Sequence, residues 1–133
     1  MSSAWEGTHR RYALTQDVLA EVARTGSPAA LAHEIDAVYG DFDTFLCDLR
    51  RRWYLIFDTR LDLLLERPPR NLERAVANLW RDLEREYPAI RVLLDAYPEP
   101  TAADAHHRAA LLAATGVDQD ELRTPCVWTR RVS

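Results

Sequence analysis

Residues 41–67 contain neither glycine nor proline, and Pro68 and Pro69 stop the run. A stretch this long without a breaker, with apolar side chains three and four residues apart, is the pattern of one long α-helix. At about 100° per residue, Phe42, Leu49, Trp53 and Ile56 cluster on one side, and Leu46, Phe57, Leu61 and Leu64 extend the same face. The apolar arc covers about half the circumference, wider than a helix lying on a surface needs. A helix over 41–66 is therefore expected to be central, touched by more than one neighbour.

The remaining segments read as shorter helices around it. One runs over 8–25 with Leu14, Val18 and Val22 on one side and Gly26 as its stop. Ser27 and Pro28 form an N-cap and N1 pair for a second, whose apolar face is Leu31, Ile35, Val38 and Tyr39. A helix over 70–86 is amphipathic through Leu72, Val76, Leu79 and Leu83, and Pro88 separates it from a short segment carrying Ile90, Leu93, Leu94 and Tyr97. After the rigid Pro98-Glu99-Pro100 link, Thr101 caps a last helix with the small face Ala102, Ala105, Ala109 and Leu112, which Gly116 closes. There is no strand-like alternation of useful length and no internal repeat. The expected fold is all-α, an up-and-down bundle of about five or six helices. It forms one domain over 1–133, with 1–7 and 125–133 irregular.

Composition narrows the functional classes. The chain of 133 residues is 47% hydrophobic and 29% charged, ordinary values for one globular domain. A net charge of −4 speaks against nucleic acid and anionic membranes as partners. All 17 basic residues are arginine, which we read as codon bias from a GC-rich, bacterial genome. No run approaches the ~20 apolar residues of a membrane span, and the N-terminus lacks the apolar stretch of a signal peptide. Cys47 and Cys126 have no metal-like spacing; they read as reduced thiols, Cys47 buried or half-buried in its helix. A cytoplasmic protein without a cofactor is expected.

Catalytic motifs are missing: no Gly-x-Ser-x-Gly elbow, P-loop or dinucleotide fingerprint occurs. The four histidines, His9, His33, His106 and His107, supply no Glu-x-x-His pairs on two facing helices and lie away from the apolar faces, so they read as surface residues and no metal site is expected. Leu112 to Val117, followed by Leu122, resembles the turn of a helix-turn-helix. Asp118, Asp120 and Glu121 would repel phosphates where the recognition helix should lie, so that reading is rejected.

Two charge stripes and one arginine remain. Asp58, Asp62 and Glu66 repeat at four-residue spacing on the outer side of the long helix, and like charges so placed repel. Arg70, Arg74, Arg81 and Arg85 line the outer face of the next helix, and the two stripes are expected to meet across subunits. Arg60 falls inside the apolar arc, between Trp53, Ile56, Phe57, Leu63 and Leu64, so its cation calls for an anion. That anion would be Glu34 or Glu21, or a ligand carboxylate or phosphate; alternatively the head snorkels to water. The expected function is a small binding or regulatory module that contacts proteins, itself included, with the aromatic residues Trp5 and Trp128 in its terminal segments. The alternative is a helical enzyme or binder that holds a small anionic ligand at Arg60, Trp53 and Glu34.

Overall fold

A computed structural model describes residues 3–97 and 102–122. The fold is an all-α helical bundle, with 87% of the described residues helical and no strand among them. The elements are α1 (Ser3–Thr25), a 3-10 turn (Ala29–Leu31), α2 (Ala32–Tyr39), α3 (Phe42–Glu66), α4 (Leu72–Glu86), α5 (Pro88–Ala96) and α6 (Ala102–Thr115). A helical turn follows at 119–122. Among the described residues, no helix is long and apolar enough to cross a membrane.

Local chemistry accounts for most boundaries. Gly26, with φ 82°, lets its N–H turn back to the Val22 carbonyl at 2.7 Å, which ends α1. Ser27 Oγ accepts the Ala29 N–H at 3.1 Å, but the element that follows is a 3-10 turn with Pro28 at its N-cap position, one residue later than expected, and α2 proper begins only at Ala32. Asp41 caps α3 by accepting the Thr44 N–H at 2.7 Å, and these hydrogen bonds lower its carboxyl pKa. Asn71 does the same for α4 through the Arg74 N–H at 3.0 Å, so Arg70 lies before the helix. At the other end of the chain α1 opens at Ser3, so residues 3–7, expected to be irregular, are helical. Residues 125–133, with Cys126 and Trp128, lie outside the described residues.

The chain divides into two compact units, Met1–Trp53 with Tyr87–Pro98, and Tyr54–Glu86 with Glu99–Ser133. The division falls within α3, between Trp53 and Tyr54. In the first unit α1 packs on α2 and α5, and Val18, Ile35, Phe45, Leu49, Trp53 and Leu93 are buried. In the second the buried set includes Phe57, Leu61, Val76, Trp80, Leu83, Leu111, Val117 and Leu122.

Some buried positions differ from the sequence reading. On α4, Trp80 is buried and Leu79 only half-buried; on α3, Phe45 is buried while Leu63 is 64% exposed. On α6 the buried pair is His107 and Leu111, while Ala105, Ala109 and Leu112 are exposed. Cys47, expected to be at least half-buried, is an exposed free thiol. A helix register shifts by about 100° between neighbours, so two adjacent apolar residues leave the choice of face to the partners available.

Candidate functional site

Arg60 is not in the core. Its guanidinium forks onto both oxygens of Glu86 at the end of α4, at 2.8 Å each. Glu86 was not among the partners expected; Glu21 pairs instead with Arg24, and Glu34 is exposed. The side chains of Arg60 and Glu86 are 34% and 47% exposed, so this is a surface pair. Arg60→Leu is accordingly expected to cost at most about 1 kcal/mol in a urea titration, far less than a buried pair broken from one side. Trp53 is fully buried in the other compact unit, where the Arg91 guanidinium lies 5.0 Å from its ring centre. Among the described residues, the buried arginine is Arg50, which donates to the Tyr97 carbonyl at 3.1 Å.

The charge stripes are only partly what their spacing suggests. Asp58 is held by His107, Arg81 donates to Asn78 at 2.7 Å, and Arg85 pairs with Asp82. Asp62, Glu66, Arg70 and Arg74 are exposed, and among the described residues none of their side chains is in an ion pair. Leu55 and Leu63, 59% and 64% exposed, lie on the same outer side of α3 as Asp62 and Glu66. The helix ends make the charges less comfortable still. Asp62 and Glu66 occupy the C-terminal end of α3, where the macrodipole disfavours anions. Arg70 and Arg74 flank the N-terminus of α4, where it disfavours cations.

The most ordered chemistry lies in the second unit, around a histidine that the sequence placed at the surface. His107 is 6% exposed and lies flat on Tyr54, ring centres 4.0 Å apart, with Phe57 edge-on at 5.7 Å. Its Nε2 is 2.7 Å from Asp58 Oδ1 and its Nδ1 is 2.6 Å from Gln119 Oε1. Gln119, itself buried, donates through Nε2 to the Tyr54 hydroxyl at 3.1 Å, and that hydroxyl donates to Asp104.

These contacts fix one another's polarity. Tyr54 gives its proton to Asp104 and can only accept from Gln119, so the amide must present its oxygen to His107. Both imidazole nitrogens then face acceptors, so both hydrogen bonds are made when both nitrogens carry protons, and the arrangement favours the imidazolium. Burial alone would lower its pKa, but the hydrogen bonds to Asp58 and Gln119 and the charges of Asp58 and Asp104 outweigh it and raise the value above 6.5. With both nitrogens engaged, the ring has no lone pair to offer a substrate proton, so the arrangement is a clasp between α3, α6 and the turn at 119–122.

Sequence reasoning missed this group because the alanines of α6 suit either face. Asp104, His107 and Leu111 do recur at the helical spacing i, i+3 and i+7, the one local signal for the true face. A second polar cluster belongs to the first unit, where the Tyr39 hydroxyl donates to Asp48 at 2.9 Å and Arg52 Nε donates to the same carboxylate at 3.1 Å. Among the described residues, no three His, Cys, Asp or Glu side chains gather as a metal site requires. Compared with protein-family models, with curated proteins and with solved structures, the chain matches none.

Proposed function

We propose that this protein is a small helical interaction module that binds through the outer side of α3 and the start of α4, with a second copy of itself as partner. The observation that carries the reading is the set of exposed, unpaired charges Asp62, Glu66, Arg70 and Arg74 beside the exposed Leu55 and Leu63. Acid and base follow each other across the Arg67-Pro68-Pro69 turn. A two-fold axis near that turn sets each acidic pair opposite the partner's arginines, as an isologous interface requires. It also relieves two charges at each helix end that the dipole disfavours, while the leucines supply apolar contact. Asp58, Arg81 and Arg85, engaged within the chain, have a smaller part in it than their positions in the stripes suggest. The alternative, a small anionic ligand held by Arg60, Trp53 and Glu34, has less support, because Glu86 already satisfies the guanidinium fork. A cytoplasmic location and a bacterial source remain part of the proposal.

Sedimentation equilibrium over a salt series tests this reading. Association is expected at low ionic strength and should weaken towards about 0.5 M salt, because exposed charges are screened within about 10 Å at 0.1 M. Exchanging Arg74→Glu should weaken it, and adding Glu66→Arg to that variant should restore it. A protein that stays monomeric throughout, or a dimer indifferent to these changes, would discard the proposal.

A further inference from the structure

We infer that the proton on His107 controls this self-association, because His107 holds Asp58, the first carboxylate of the acidic stripe. The inference rests on the proposed interface and adds its regulation. Asp58 Oδ1 meets His107 Nε2 at 2.7 Å, yet the Asp58 side chain is 48% exposed, so the same carboxylate faces both the buried ring and the outer surface of α3. Asp58, Asp62 and Glu66 fall at four-residue intervals along that surface. While the imidazolium is present it cancels the charge of Asp58, and the stripe presents two net anionic charges. Loss of the proton leaves Asp58 uncompensated, and the stripe presents three to the arginines of the second copy.

The groups around the ring define what else responds. From α3 it faces Tyr54 and Asp58, with Phe57 at its edge. Its own helix contributes Asp104, hydrogen-bonded to Tyr54, and Arg108, whose charge is paired with Asp120 at 3.0 Å. The turn at 119–122 contributes Gln119 and Asp120. On α4, Trp80 meets Phe57 edge-on and donates to Glu84. Of these, His107 is the one group whose ordinary titration lies near neutrality. Since association favours the deprotonated ring, it must also release protons, as linkage requires.

The test is the dimer dissociation constant by sedimentation at low salt, from about pH 6 to about pH 9, with the His107 ring followed by NMR over the same range. Wild type should tighten between about two- and tenfold as the ring loses its proton, the effect of one further exposed ion pair per subunit. His107→Gln, neutral at every pH, should bind at about pH 6 as wild type does at about pH 9, and should lack this component of the pH dependence. The exposed His9, His33 and His106 remain in that variant and supply the background. Asp58→Asn gives an independent check should His107→Gln fail to fold: at about pH 9 it should bind no more tightly than wild type does at about pH 6, because its stripe then presents two charges and not three. A dimer whose affinity does not change, or weakens, while His107 titrates overturns the inference and leaves the interface standing. A monomer at every pH and salt overturns both.

Discussion

Trp53→Ala should destabilise the protein by roughly 3–5 kcal/mol, the range for emptying an aromatic site in a core. Trp53 has no exposed surface and is among the largest fully buried side chains. Its removal takes away the apolar area and the contacts of the ring, and leaves the Arg91 guanidinium facing a void. Trp53→Phe, which keeps most of the volume, should lose much less. Had Trp53 lined an open ligand pocket, as its place beside Arg60 in the sequence suggests, the alanine variant would be nearly as stable as wild type. Guanidinium unfolding followed by far- and near-ultraviolet circular dichroism separates these outcomes. Coincident transitions would also show that the two compact units unfold together.

His107→Ala should cost about 2–4 kcal/mol below neutral pH, because it removes a stacked ring and leaves the buried Gln119 oxygen without its donor. The pH dependence has a definite sign. The folded pKa is raised above the unfolded value of about 6.5, so the stabilisation is complete below that pH and is lost as pH rises through the folded value. The difference between wild type and His107→Ala should therefore shrink on the alkaline side. Urea titrations at a series of pH values measure it. A gap that widens with pH would mean that the folded state holds the ring neutral, contrary to the polarity of the hydrogen-bond chain. Loss of helix signal confined to α6, read by hydrogen exchange, would show that the clasp chiefly fastens α6 and the turn at 119–122.

The two experiments bear on different kinds of residue, and the sequence foretold them unequally. Trp53 belongs to a long periodic face, and such a face is buried whichever helices cover it. Its place in the core needed only the recurrence of Leu46, Leu49, Trp53 and Phe57. His107 stands in a helix whose alanines give no contrast between inside and outside. The same ambiguity displaced Trp80 on α4, where it competes with Leu79 for the inner position, and Leu111 on α6, where it competes with Leu112.

Charged residues show the division most clearly. Arg60 sits within an apolar arc by angle alone, which marks it for burial, yet the arc is wider than the surface that covers it, and Leu63 and Arg60 both reach solvent. The partner of Arg60 comes from 26 positions along the chain and that of His107 from 49. No periodicity encodes such pairings, because a side chain's local spacing specifies its angle around its own helix and nothing about the helix opposite. By itself the sequence determined the all-α class, the long helix to within one residue (41–66 expected, Phe42–Glu66 found), and the stops at Gly26 and Gly116, all of which follow from backbone preference and short-range pattern. Only the tertiary structure decided that Arg50 is buried and Arg60 is not, that Glu86 holds Arg60, and that Asp58, His107, Gln119, Tyr54 and Asp104 form one chain of hydrogen bonds. Those outcomes depend on which faces meet, and that is settled by contacts between residues far apart in sequence.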